Sequence, residues 1–201
     1  MSQLPCRWDQ AVNHCLVIGG SRGIGKQIAD RLAASYTITV IGRTAKKYAA
    51  DVTDDKEFFG AVNEIVAHEG PFNHVVFVPR GPLLKMVRAV MRTHTMAIGR
   101  RVESMVVVNS IASLYVASEQ DEEYHALKGA TASLVRYLAL ASEPEPMRIN
   151  GVCPGRIRED STGDCTPYEV ADTIRFLLSA ESSAVNGQHI VLDRGRSLRL
   201  P

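Results

Sequence analysis

The chain has 201 residues, 45% of them apolar and 22% charged, with a formal net charge of +1. Those figures suit one soluble globular domain with a single core. The near-neutral balance excludes a charge-driven partner, so neither nucleic acid nor a membrane surface is expected. No apolar run approaches the ~20 residues that span a bilayer. The opening MSQLPCRWDQ has no apolar core and no small-residue cleavage site, so it does not read as a signal peptide and a cytoplasmic protein is expected. Cys6, Cys15, Cys153 and Cys165 form no CxxC pair and read as free thiols. The six histidines lack metal-ligand spacing, so no metal is expected.

In chain order, HCLVIGG reads as a strand and GKQIADRLAAS as a helix with Ile28, Ala29 and Leu32 at helical spacing. TITVIGR is a second strand, and the short AADV is a candidate third. DKEFFGAVNEIVAHEG is a helix whose apolar face is Phe58, Val62, Ile65 and Val66. There follow strand HVVFV, helix PLLKMVRAVMRTHTMAI and strand SMVVVNS. Helix DEEYHALKGATASLVRYLALAS opens on acidic residues, which the helix dipole favours. Strand RINGVCPG, helix PYEVADTIRFLLS and strand HIVLD complete the pattern. VVFV and MVVV are apolar throughout, as strands are when both faces of a parallel sheet are covered. Strands alternating with helices over short connections predict a doubly wound, three-layer α/β fold. No repeat, linker or low-complexity segment interrupts it.

Between the first strand and the first helix lies GGSRGIG, Gly19 to Gly25. A glycine-rich turn there lets backbone N–H groups and the helix dipole meet a pyrophosphate. Gly19 can turn sharply, Gly23 permits close approach and Gly25 lets the helix pack on the sheet. The same letters also serve a plain tight turn. The second strand ends at Arg43, followed by Thr44, where the adenosine ribose sits in such folds. An acidic residue there would repel a 2′-phosphate, whereas Arg22 and Arg43 suit one. NADP(H) is therefore preferred over NAD(H), which stays possible.

EEYHALKGA places Tyr124 and Lys128 one helical turn apart, on one face. An ammonium beside a phenol favours the phenolate, and a tyrosine tuned this way can protonate a carbonyl oxygen as hydride reaches the carbon. Ser110, at the end of MVVVNS, could hydrogen-bond the same oxygen. Lys85, Arg88 and Arg92 share a helix face that reads as solvated, with Arg80, Arg100 and Arg101 nearby. Met86, Met91, Met96 and Met105 read as core or subunit interface.

Together these pieces resemble the classical short-chain dehydrogenase/reductase family over essentially the whole chain, as a shortened and divergent member. GGSRGIG resembles its cofactor loop, so Ser21 and Ile24 join the glycines and Arg22 as cofactor contacts. DVTD resembles the segment that contacts adenine, here Asp51 and Val52. Ser110, Tyr124 and Lys128 match the family's catalytic serine, tyrosine and lysine, with Tyr124 and Lys128 also against the cofactor. RINGVCPG resembles the strand ending in Pro154 and Gly155, after which Ile157 would touch the nicotinamide carboxamide. The resemblance implies a sheet ordered 3-2-1-4-5-6-7 and a homodimer or homotetramer formed through the helices carrying MVRAVMR and YHALKGA.

The chain also departs from the family. Where NNAG is usual after the fourth strand, it has Val78-Pro79-Arg80-Gly81, so Val78 and Gly81 would border the cofactor. The family's asparagine on the next helix has no counterpart; Pro79 or Arg80 falls about there, and Asn109 belongs to a strand. RIREDSTGDCT replaces a longer substrate lid, which implies an open pocket, a large or carrier-bound substrate, or closure by a neighbouring subunit. Arg80 is the candidate partner of a substrate carboxylate or phosphate. The leading expectation is an NADPH-dependent reductase of a small or carrier-bound carbonyl, or the matching alcohol dehydrogenase. A non-catalytic nucleotide-binding or scaffolding protein and an isomerase or dehydratase of this fold are the alternatives. Reductases of conjugated C=C bonds space their tyrosine and lysine more widely.

Overall fold

The computed structural model describes residues 13–78, 80–142, 147–160 and 162–199. The readings made for MSQLPCRWDQ, Cys6 and Pro79 fall outside the described residues. The strands carry apolar side chains on both faces, and successive residues feed two different cores. Leu16 and Ile18 of β1 (His14–Ile18), Val75 and Phe77 of β3 (His74–Phe77), and Met105 and Val107 of β4 (Ser104–Val108) face one cluster. Cys15 and Val17, Val76, and Val106 and Val108 face the other. A strand buried on both sides needs this continuous apolar run, with side chains alternating at period two.

The helices supply the outer layers. Phe58, Val62 and Ile65 of α2 (Asp55–Glu69), Met86 and Val90 of α3 (Leu83–Gly99), and Leu127 and Val135 of α4 (Glu122–Ala141) pack on the first side. Ile28 and Leu32 of α1 (Gly23–Leu32) and Val170, Ile174 and Leu177 of α5 (Pro167–Leu178) pack on the second. Local chemistry starts these helices where the sequence places them. Asp54 caps α2 by accepting from the Glu57 N–H, and Asp121 caps α4 by accepting from the Tyr124 N–H at 2.7 Å. Thr166 and Glu169 form a reciprocal capping box at α5, with Pro167 in its first turn.

With β2 (Thr37–Ile41), β5 (Arg148–Pro154) and β6 (His189–Leu192), six parallel strands run in the order β2-β1-β3-β4-β5-β6. This corrects the seven-strand order implied by the resemblance. AADV is not a strand; only Tyr48 makes an isolated bridge, to Ile41. Seven residues between Arg43 and Asp51 cannot hold both a helix and a strand. The edge is sealed by side chains instead: Glu69 accepts from Thr39 (2.8 Å), Tyr48 (3.0 Å) and Lys47 (2.5 Å). The Lys47 bond, followed by Thr39, holds the Glu69 carboxyl down at about 2.

The chain reverses direction across the sheet at β1, which lies between β2 and β3. In open α/β sheets the crevice at the carboxyl ends of such strands takes the ligand. Met86, Met96 and Met105 are core, whereas Met91 is exposed. Cys15, Cys153 and Cys165 are buried free thiols.

Candidate active site

The loop after β1 is built for close approach. Gly19 takes φ +84°, and a Cβ there would lie 2.8 Å from the Val78 carbonyl oxygen. A Cβ on Gly25 would lie 2.2 Å from the Gly19 carbonyl oxygen, so these two glycines let the turn and α1 pack. Gly23 differs: a Cβ there would meet nothing within 4 Å. Its open side faces the cavity, and no side chain caps the N-terminus of α1. The free N–H groups and the positive end of the helix dipole fit a pyrophosphate.

Around this turn is a cavity of about 310 Å³. It is lined by Gly19, Ser21, Arg22, Gly23, Ile24, Gly25, Arg43, Thr44, Asp51, Val52, Val78, Arg80 and Gly81, all expected from the sequence. The Ser21 and Thr44 hydroxyls hydrogen-bond at 2.9 Å and tie the loop to the end of β2. Hydrogen bonds from the Thr53 N–H and hydroxyl hold the Asp51 carboxyl below its ordinary range, and the charges of Arg43 and Lys85 add to this. Among the described residues, neither Arg22 nor Arg43 enters an ion pair. Lys85 is a further lining cation that the periodicity of α3 had assigned to a solvated face. Arg92 is also no solvated group: it pairs with Asp55 and donates to the Val52 carbonyl at 2.7 Å, fixing the Asp51–Val52 segment.

A second cavity, of about 490 Å³, adjoins the first through Ile24, Val78, Arg80, Gly81 and Pro82. Tyr124, Lys128 and Ile157 line it. Lys128 is buried, its Nζ 5.5 Å from the centre of the Tyr124 ring and donating to the Val108 carbonyl at 3.3 Å. Burial pushes its ammonium down to about 8, against the influence of the neighbouring Cys153. The amine thus stays cationic at neutral pH, beside the phenol.

Not every expected residue lines a cavity. Ser110 opens a 3-10 turn (Ile111–Ser113), its oxygen accepting from the Ala112 N–H at 3.2 Å, which leaves the hydroxyl proton free to donate. Pro154 ends β5, and Gly155 is where Asp164 packs: a Cβ there would lie 2.6 Å from the Asp164 carboxylate. Asp164 in turn accepts from the Arg156 N–H (2.8 Å) and from Arg196 (2.9 Å). With the Ile157–Cys165 bridge and the Gln27–Glu159 bond, these contacts tie the short lid down. Asn109, Gln120, Asp121 and Glu123 line the second cavity without having been expected there. Glu123 accepts from the Leu83 N–H at 3.2 Å, replacing a cap that Pro82 cannot provide.

The chain as a whole is similar to known proteins. A family model described as enoyl-(acyl carrier protein) reductase matches residues 82–165. The 3-oxoacyl-[acyl-carrier-protein] reductase of Homo sapiens is 28% identical over 236 residues, covering 92% of this chain and 98% of that protein. The Mycobacterium tuberculosis 3-oxoacyl-[acyl-carrier-protein] reductase MabA is 26% identical, with 91% and 92% covered. The chain is thus similar to oxidoreductases of the short-chain dehydrogenase/reductase kind. The ligand-free aldohexose dehydrogenase of Thermoplasma acidophilum shares the fold, with a TM-score of 0.80 at 22% identity over 94% of this chain and 95% of that one.

The departure from the NNAG pattern falls at Val78, Arg80 and Gly81 among the described residues. Gly81 takes φ +152°, and Arg80 is exposed where the two cavities join. Arg194, after β6, is paired with Glu169 at 2.9 Å.

Proposed function

We propose that this short-chain dehydrogenase/reductase reduces a ketone or aldehyde carbonyl, or oxidises the matching alcohol, with NADP(H) preferred and NAD(H) possible. The observation that carries the reading is the buried Lys128 ammonium 5.5 Å from the Tyr124 ring, in a cavity continuous with the glycine-loop cavity. The loop, the uncapped α1 terminus and the free Arg22 and Arg43 would hold the dinucleotide, which supplies hydride when bound. Tyr124 donates its phenolic proton to the substrate oxygen. Lys128 keeps a positive charge beside the ring and so stabilises the phenolate left behind. Ser110, with its proton unengaged, is assigned to hold the same oxygen.

Arg80 is assigned to a substrate carboxylate or phosphate, and the tied-down lid favours a substrate that need not be enclosed, whether small or carrier-bound. The named activities of the human and mycobacterial relatives support the carrier-bound case. Exposed Leu84 and Met91 on α3 and Tyr137 and Leu140 on α4 support assembly of two or four copies through these helices. A cytoplasmic setting is part of the same reading. Among the described residues, no helix is long and apolar enough to cross a membrane.

The matched family description favours one second reading, reduction of a conjugated C=C bond. The one-turn spacing of Tyr124 and Lys128 weighs against it. NADPH consumption against a panel of 3-oxoacyl thioesters, simple ketones and enoyl thioesters separates the readings. Carbonyl substrates are expected to be consumed. Consumption of enoyl thioesters alone supports the second reading, and failure to bind either dinucleotide in a fluorescence titration leaves only a scaffold.

A further inference from the structure

The loop that follows β2 crosses the open edge of the sheet and is tied down by side chains at two points. At its inner end Thr44 bonds to Ser21, and Arg43 and Thr44 line the first cavity. At its outer end Lys47 and Tyr48 both donate to the Glu69 carboxylate. A further cavity, of about 420 Å³, runs alongside, lined by Thr39, Val40, Thr44, Ala45, Tyr48 and Glu69. With a cavity where a packed strand could lie, the course of the loop depends on these ties.

Glu69 is itself held from the inside. Its Oε2 accepts from Thr39 Oγ1 at 2.8 Å, and Thr39 Oγ1 lies 2.8 Å from His14 Nε2. The other ring nitrogen, Nδ1, lies 3.0 Å from the Pro71 carbonyl oxygen. His14 and Thr39 are both buried, at 2% and 4% exposure. The protons of this chain can be counted. A carbonyl only accepts, so Nδ1 donates to Pro71. The Glu69 carboxylate is held ionised by its bond from Lys47 and then by that from Thr39, so it too only accepts. A hydroxyl has one proton, and that of Thr39 goes to Glu69. Nε2 must therefore supply the proton of its own bond to Thr39. A ring that donates through both nitrogens is an imidazolium.

The surroundings agree with a cation bridged to an anion. Facing His14 are Glu69 of α2 across the Thr39 hydroxyl, Lys47 and Tyr48 beyond that carboxylate, and the edge of the Phe72 ring, 6.1 Å away. Asn73 Oδ1 accepts the His14 backbone N–H at 3.2 Å, with Glu103 on the far side of that amide. On β3, His74 turns to the opposite face of the sheet and bonds to Ser104. Lys26 and Asp30, which line the third cavity with Lys46, pair with each other.

We infer that His14, Thr39 and Glu69 form a buried imidazolium–hydroxyl–carboxylate anchor, and that Glu69 is through it the positioning residue for the Arg43–Thr44 rim, which sets the preference for NADPH over NADH. The last step rests on Arg43 meeting the 2′-phosphate in the proposed function. The anchor and its hold on the loop exist without cofactor.

The test reads the anchor and the rim separately. The full chain, labelled with 15N in histidine, is compared by NMR without cofactor as wild type, Glu69→Gln, Thr39→Val and Thr39→Ser, with His14→Gln identifying the signal. At about pH 7.5, where an unperturbed imidazole is mostly neutral, wild-type His14 is expected to show the imidazolium pattern of two protonated nitrogens. Thr39→Ser keeps the hydroxyl and should keep that pattern, whereas Glu69→Gln and Thr39→Val should leave one neutral tautomer, protonated at Nδ1. In those two variants amide exchange at Arg43–Tyr48 is expected to quicken by roughly tenfold. NADPH affinity should fall by roughly five- to tenfold while NADH stays within about twofold. Restoration by serine supports the anchor, because a merely structural loss gives no reason for His14 to change its protons. A neutral wild-type His14 overturns the proton assignment. Unchanged exchange and an unchanged preference in folded Glu69→Gln overturn the positioning, even if Thr39→Val does not fold. A wild type without preference for NADPH would refute the NADP(H) reading alone, and quickened exchange in the same variants would still support the anchor.

Discussion

The two halves of the cleft are made from different materials. The half around Gly19–Gly25 is mostly backbone: a turn in which an added Cβ on Gly19 or Gly25 would come within 2.8 Å or 2.2 Å of a backbone oxygen, a bare helix terminus, and cations at the rim. The half around Tyr124 is made largely of side chains drawn from the end of β4, from α4 and from Val78, Arg80 and Pro82, with one cation buried and Asp121 and Glu123 at its edge. A backbone site tolerates little change in its glycines and much in its rim. A side-chain site depends on desolvation of a single group, so its chemistry is set by burial.

Substitutions can separate the halves. The largest effect outside the reacting groups is expected from Gly25→Val. Its Cβ meets a backbone oxygen at 2.2 Å that cannot swing away, so the loop must open. Affinity for both dinucleotides should fall by roughly a hundredfold or more, read by fluorescence titration, with Tyr124 and Lys128 untouched. If Gly25→Val binds NADPH as wild type does, the loop is a structural turn.

Arg43→Ala should act more narrowly. Removing an exposed charge at the ribose end is expected to weaken NADPH by roughly tenfold while leaving NADH nearly unchanged. Equal losses for both would assign Arg43 to general steering and withdraw the 2′-phosphate reading.

The same contrast between burial and exposure governs acid stability. Burial pushes His74 down to about 4, in the core beside Ser104 Oγ at 2.9 Å, and burial pushes His189 down to about 4 as well. Each is neutral when folded and free to protonate in the unfolded chain below about 6.5. Their contribution is therefore complete above that pH and is lost as the pH falls toward 4. For His74 the loss is on the order of 2–3 kcal/mol. Denaturation midpoints measured from pH 7 to 4 should fall more gently in His74→Phe than in wild type. An unchanged slope would place the acid sensitivity elsewhere.

The sequence was most readable where one rule acts alone. Strands apolar on both faces, capped helices and the glycine loop each follow from local chemistry, so five helices and six strands stand close to where their patterns put them. AADV has strand-like letters, but the decisive quantity is the number of residues available between Arg43 and Asp51, which leaves no room for a further strand. Arg92 looked solvated because helical periodicity shows which face a side chain occupies but not that α2 and Val52 lie across from it. Lys85 escaped for the same reason. Asn109 carried no pattern at all: its place against Lys128 depends on β4 and α4 meeting, which no local spacing encodes.

The central claim is that Tyr124 gives the proton and the glycine-loop half holds the cofactor without it. The most direct test is Tyr124→Phe, measured twice on one preparation. NADPH binding is expected to stay within about twofold of wild type, while turnover of a reduced carbonyl substrate falls by roughly 10²–10⁴. A variant that binds NADPH and keeps wild-type turnover would contradict the account.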